Sequence, residues 1–364
     1  MRPRVFITQP VATSAVKRLR EVASVELNPD ASRIPSKRAL IAAARRCEIL
    51  FSRLHDRIDR DVLQANPKLR ALCSMTITPD NIDVKAATEL GIPVTVIPPM
   101  VGEATADIAF GLILAVGRRM LEGDRLLRQG GFPGGQSNHL AGAGVCGKTL
   151  GLVGGGGRIG KAVARRASGF SMRVLYWGPR RKPPEEERAA GIIYAPLDEL
   201  LAQSDFVSLH SPLRPETRHQ IGARELRLMK RSAYLINTAR GPIVDEAALV
   251  RALERRQIAG AGLDVFEREP EVTPTLKKMP NVVLTPHLGS AVAELREEMA
   301  HVVVDNIMAL IEGRPPANCV NPEVLGTRPI ALRGGQADRA GPRSPKGTAA
   351  GGPRSIGNRR SGAR

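Results

Sequence analysis

The chain has 364 residues, 42% of them apolar, and a formal charge of +18 at pH 7. That length suits two domains, and no uninterrupted apolar run approaches the ~18 residues a membrane helix needs. Four cysteines (Cys47, Cys73, Cys146 and Cys319) without C-x-x-C spacing argue against a metal site or a disulfide framework.

The basic start, MRPRVFITQP, lacks the apolar stretch of a signal peptide, so a soluble, cytoplasmic protein with no membrane partner is expected. The charge is unevenly spread. Residues 327–364 hold nine Arg or Lys and one acid, a net +8, with eight Gly, four Pro and no aromatic residue. Such a composition buries too little surface to fold, so 326–364 is expected to be a disordered basic tail. No aromatic ring interleaves the cations as a stacking platform would, and a nucleic-acid partner is not expected beyond weak binding through that tail.

Taken in chain order, RVFI (4–7), EILFS (48–52), LRALCSM (69–75) and VTVI (94–97) are short apolar runs, separated by helical or turn segments. Residues 104–128 carry one long helical pattern, followed by a glycine-rich loop. Further runs follow at 149–154, 172–177, 205–210, 233–237, 259–266 and 281–286, with helical stretches such as GKAVARRASGF and DEAALVRALERRQ between them. A last helix is expected over 291–313. Alternation of strand and helix predicts parallel, doubly wound α/β sheets.

GLVGGGGRIGKAV is the most informative stretch. A strand runs into Gly155-x-Gly157-x-x-Gly160 and a helix follows. The first glycine makes the tight turn, the second lets backbone approach a pyrophosphate, and the third lets helix and strand pack closely. Four consecutive glycines leave the register open between Gly154 and Gly155. Roughly 20 residues on, an acid would hold the ribose 2′-OH of NAD. This chain has Gly178 there, followed by Arg180, Arg181 and Lys182. A missing acid and nearby cations predict NADP(H), with NAD(H) as the alternative.

VGEATADIAFGLILAVGRR, GKTLGLVGGGGRIG, LHSPLRPETRHQI, INTARGPIVDEAAL, AGLDVFEREP and LTPHLGS together resemble the D-isomer-specific 2-hydroxyacid dehydrogenases, in particular their glyoxylate/hydroxypyruvate reductase branch. The resemblance spans residues 1 to about 325. It implies a Rossmann-type cofactor domain (101–295) inserted into a flavodoxin-like substrate domain (1–100 and 296–325), a homodimer, and reduction of a small 2-oxo acid. Arg240 then matches the arginine that grips the substrate carboxylate, His287 the proton donor, and Glu269 the carboxylate paired with that histidine. The chemistry needs these types: a guanidinium binds a carboxylate in a planar fork, and developing alkoxide charge needs a donor that titrates near neutrality. A neighbouring carboxylate favours the imidazolium.

The resemblance also implies cofactor contacts from Arg158 and Ile159 at the pyrophosphate, and from Ser211, Pro212, Thr238 and Ala239. Asp264, Gly289, Ser290 and Thr105 would lie toward the nicotinamide. His55 is given no functional role. Two departures stand out: Thr78 occupies the place of a family glycine before D-N-I-D, and the glycine turn has one extra glycine. Glu269 argues against a formate dehydrogenase, and the tail composition against a phosphoglycerate dehydrogenase with a regulatory domain. A nucleotide-sensing, corepressor-like binding protein is the competing reading, since such proteins can keep these residues.

Overall fold

The computed structural model describes residues 2–135 and 138–326; beyond Gly326, the basic tail lies outside the described residues. Five strands form one sheet: β1 (Arg4–Ile7), β2 (Ser24–Leu27), β3 (Ile49–Ser52), β4 (Ala71–Ser74) and β5 (Val94–Thr95). Seven form a second: β6 (Thr149–Val153), β7 (Arg173–Trp177), β8 (Ile193–Tyr194), β9 (Phe206–Leu209), β10 (Tyr234–Asn237), β11 (Gly260–Leu263) and β12 (Val282–Leu284). Every pairing in both is parallel. The first sheet has the flavodoxin-like order β2-β1-β3-β4-β5, and the second the doubly wound order β12-β11-β10-β9-β6-β7-β8.

Helices cover both faces, which is why β3, β4, β9 and β11 are buried along their whole length. Alternate side chains serve opposite layers. Val5, Ile7, Ile49 and Phe51 pack with Leu19, Val303 and Ile307, whereas Phe6, Leu50 and Leu72 pack with Leu40, Val62 and Leu63. Val303 and Ile307 belong to the helix Ala293–Ile311, so the chain returns to the first sheet after finishing the second. Among the described residues, no helix is long and apolar enough to cross a membrane.

The structure departs from the sequence pattern in two ways. Strands β2 and β8 sit at sheet edges, with only partly buried or exposed residues; β2 has no apolar run to announce it, and β8 takes only two residues of the short run IIYA (192–195). The single helix expected over 104–128 is two, Gly102–Gly117 and Met120–Arg128, broken at Arg119 with φ +53°. The break has a local cause. The Ala143 N–H donates to the Gly117 carbonyl at 2.8 Å, taking the acceptor that a continuing helix would use. A Cβ on Gly142 would stand 2.2 Å from that same oxygen, so only glycine lets the returning loop reach it.

The glycine turn links β6 to the helix Arg158–Ser168, with Gly157 at its N-cap. A Cβ on Gly160 would stand 2.4 Å from the Gly155 carbonyl and 2.5 Å from its Cα, so the two glycines form the contact that seats the helix on the strand. Helix propensity alone favours Gly160→Ala by about 1 kcal/mol. Backbone overlap is the larger effect, and the variant should instead lose about 1–3 kcal/mol. Thermal unfolding decides the sign: a raised Tm would refute the packing argument.

Candidate active site

Because all seven strands of the second sheet run the same way, their C-terminal ends share one edge, the edge at which open α/β sheets bind ligands. The strand order reverses between β6 and β9, and the glycine turn lies there. Gly154, at φ +80°, sits so tightly that a Cβ would stand 2.6 Å from the Ser211 nitrogen, just past β9. The extra glycine thus supplies the left-handed residue of the turn, while Gly155, Gly157 and Gly160 keep the motif register. The N–H groups of Gly154 and Gly155 reach the Trp177 carbonyl at 2.8 and 3.3 Å, which sets the end of β7, and with it Gly178, beside the turn.

Several features of this edge fit a nicotinamide dinucleotide. The first N–H groups of the helix, at Arg158 and Ile159, have no intrahelical acceptor and face the ligand edge with the positive end of the helix dipole. The Thr238 hydroxyl, beside the buried Ala239, and His210 Nδ1 are buried without a hydrogen-bond partner. Burial pushes His210 down to about 4, so it is neutral near pH 7. Pro212 is exposed next to the buried Ser211, and the Arg158 guanidinium donates to the Pro99 carbonyl at 3.2 Å.

The expected pair of free arginines after Gly178 is not what the structure holds. Arg181 grips Glu187 through two hydrogen bonds, at 2.9 and 3.0 Å, and its guanidinium lies 5.6 Å from the Tyr194 ring centre. Arg180 is exposed, and Lys182 lies over Gly156. Tyr176 explains the arrangement: its buried hydroxyl donates to Glu187 at 2.8 Å, which fixes that carboxylate where Arg181 can reach it. Glu187 lies nine positions beyond Gly178 in a run of three glutamates, and nothing in that run singles it out.

Arg240, Glu269 and His287 follow β10, β11 and β12, three adjacent strands. Asp264 directly follows β11 with its side chain fully buried, and it organises the loop that carries His287. Its Oδ1 accepts the Thr285 hydroxyl at 2.6 Å and the Leu288 N–H at 2.7 Å, and its Oδ2 the Gly289 N–H at 2.9 Å. Burial raises the Asp264 pKa, against these hydrogen bonds. Thr105 closes the group by donating to the Gly289 carbonyl at 3.1 Å, and the half-buried Ser290 comes next. Held this way, His287 takes φ +54°, a conformation that costs a non-glycine residue about 1–3 kcal/mol.

The His287 Nδ1 lies 2.9 Å from Glu269 Oε2. Burial pushes the Glu269 carboxyl upward, but hydrogen bonds from His287 and His55 outweigh it and bring it down to about 2. Glu269 is therefore ionised and can only accept, so His287 carries its proton on Nδ1 and leaves Nε2 for chemistry. Gly241 seats the neighbouring strand end: a Cβ there would stand 1.8 Å from the Phe266 carbonyl, which clamps the Arg240 segment onto the segment leading to Glu269.

Arg240 has partners that the sequence did not announce. Its Nε donates to Asp80 at 3.0 Å, one terminal nitrogen to the Thr78 hydroxyl at 3.0 Å, and the other to the Ala239 carbonyl at 2.8 Å. Thr78, the residue in place of a family glycine, also donates to Asp80 at 2.8 Å. The loop from the first sheet thus meets the strand ends of the second at the guanidinium.

Residues 110–289 match the family described as D-isomer specific 2-hydroxyacid dehydrogenase, NAD binding domain. A glyoxylate reductase of Korarchaeum cryptofilum is 47% identical over 332 residues, covering 90% of this chain and 99% of that one. One from Thermococcus litoralis is 44% identical over 90% of this chain and its own whole length. Among solved structures, a glyoxylate reductase from Paecilomyes thermophila superposes with a TM-score of 0.74 at 34% identity, covering 88% and 99% of the two chains. An NADPH-dependent glyoxylate/hydroxypyruvate reductase from Sinorhizobium meliloti, solved with NADP and malonate, gives 0.71 at 31% identity, covering 89% and 98%. With two parallel-sheet domains, a dinucleotide turn at the reversal point and an Arg–Glu–His set on one edge, the chain belongs to the NAD(P)-dependent D-isomer-specific 2-hydroxyacid dehydrogenases.

Proposed function

We propose that this enzyme reduces glyoxylate or hydroxypyruvate to the D-2-hydroxy acid with NADPH as donor. The observation that carries the reading is His287 held through Nδ1 by the ionised Glu269, two strands from a guanidinium able to bind a carboxylate. The similar proteins named glyoxylate reductase support the substrate class, and the relative solved with NADP supports the cofactor.

Arg240 binds the substrate carboxylate with its terminal nitrogens, drawing them away from Thr78 and the Ala239 carbonyl. The His287 Nε2–H points at the 2-oxo oxygen. The nicotinamide, when bound, supplies a hydride to the carbonyl carbon. His287 passes its proton to the oxygen as charge builds there, and Glu269 stabilises the imidazolium before transfer and holds the ring afterwards. Residues 1–100 and 296–325 form the substrate domain in this reading, and 101–295 the cofactor domain. Met120, Leu121, Leu127 and Phe132, all exposed on or just after the helix Met120–Arg128, support a homodimer formed through that face. A soluble, cytoplasmic enzyme fits this substrate class.

His287→Ala should lose on the order of 10²–10⁴-fold in kcat, the range for general acid catalysis. Glu269→Gln should move the alkaline limb of the reduction profile to lower pH, because the imidazolium loses its counter-charge. A profile matching wild type would remove Glu269 from the mechanism.

Arg240→Lys should raise KM and lower kcat together, since an ammonium cannot present the planar fork. Unchanged kinetics would mean the carboxylate is held elsewhere.

For the cofactor, wild type should prefer NADPH by at least about tenfold in kcat/KM, which needs only ~1.4 kcal/mol. Arg180→Ala with Arg181→Ala should erase the preference and spare NADH kinetics. Adding Gly178→Asp should reverse it, and there is room for that side chain: the nearest atom to a Cβ at 178 is the Arg180 carbonyl, at 3.8 Å. Equal or better use of NADH by wild type would refute the NADPH assignment.

A further inference from the structure

Glu269 Oε2 does not serve His287 alone. His55 Nε2 lies 2.8 Å from the same oxygen, and the two imidazole rings stand edge to face with centres 5.5 Å apart. His55 arrives from the other sheet, on the turn after β3, and 214 residues separate it from Glu269. That turn is firmly built. The Arg53 N–H donates to Asp56 at 2.6 Å, Arg53 reaches the Pro10 carbonyl at 2.9 Å, and the Asn81 amide binds the carbonyls of Arg53 and Asp56 at 3.1 and 2.7 Å.

We propose that His55 is a positioning residue for the proton donor, acting through Glu269: a second N–H on Oε2 that limits the charge the carboxylate offers to His287. The inference rests on the proposed roles of His287 and Glu269. An ionised carboxylate has no hydrogen to give, so His55 must hold its proton on Nε2 to make this contact. Two donors on one oxygen share its charge, and each weakens the other's hold. Glu269 keeps its place without His55, because the Phe266 N–H binds Oε1 at 2.9 Å. Removing His55 therefore releases charge to His287 rather than setting the carboxylate loose. Other charged groups around the set are Arg53 and Asp56 on the His55 turn, Arg296 near Arg53, and Asp264 beneath His287. All remain in place when His55 changes.

The test is the pH profile of kcat/KM for 2-oxo acid reduction in His55→Ala and His55→Gln. With one neutral hydrogen bond removed, the alkaline limb of the alanine variant should move up by about 0.4–1 pH unit. Glutamine can donate from its amide and should return the limb toward wild type. An unmoved or lowered limb in His55→Ala would overturn the proposal, since a purely structural role reduces activity or Tm without moving the limb. Nitrogen-15 NMR of the wild-type histidines is the second arm and needs neither turnover nor a variant that folds. It should show His55 protonated at Nε2 near neutral pH, and a bare Nε2 would overturn the proposal whichever 2-oxo acid is the substrate. An enzyme inactive on every 2-oxo acid, yet with this tautomer, would refute the proposed reaction and leave the contact standing.

Discussion

The active edge depends on one buried carboxylate. Asp264, the residue after β11, turns its side chain under the next strand's loop, where it takes three donors from Thr285, Leu288 and Gly289. A buried anion is stabilised only by such donors, so the loop cannot relax away without stranding a charge. The same constraint keeps His287 in the left-handed region and presents its ring to Glu269. Thr105, from the long helix, ties the far side of the loop, so helix, strand end and the His287 loop form one unit.

The two sheets supply different kinds of groups to the cleft. The second sheet contributes the His287–Glu269 pair and the Arg240 guanidinium from three adjacent strand ends. The first contributes residues that hold them: His55 on Glu269, and Thr78 and Asp80 on Arg240. Arg240, Glu269 and His287 lie in sequence motifs, whereas their supports come from ordinary-looking loop positions. A contact across 160 residues, as between Arg240 and Asp80, leaves no trace in local spacing.

That division explains what the sequence could reveal. Parallel strands buried on both faces read directly as apolar runs, and the glycine turn reads directly because backbone overlap forbids any other residue at Gly160. Edge strand β2 buries too little to show as a run, and β8 is only two residues long. The helix break at Arg119 was hidden because its cause, the Ala143 N–H on the Gly117 carbonyl, comes from a loop far along the chain. Arg181 could be expected near the ribose, but its pairing with Glu187 depends on where the Tyr176 hydroxyl happens to lie once β7 is in the sheet. The resemblance supplied Arg240, Glu269 and His287 by motif; it gave no hint of His55, which has no motif of its own.

The crowding around Arg240 has a consequence for its proposed role as the anchor of the substrate carboxylate. The guanidinium already donates to Asp80, Thr78 and the Ala239 carbonyl. Binding a carboxylate here is an exchange of partners, and the new ion pair is worth only its excess over the contacts it replaces. Affinity from this one anchor is modest as a result, and discrimination shifts to the remainder of a very small molecule: how well its carbonyl aligns with His287 and how little volume lies beyond it. In that role, an arginine with standing occupants also resists stray anions of the cell, each of which must displace the Thr78 hydroxyl and the Ala239 carbonyl from the terminal nitrogens. The released product leaves Arg240 to partners that are already waiting, which favours turnover over retention.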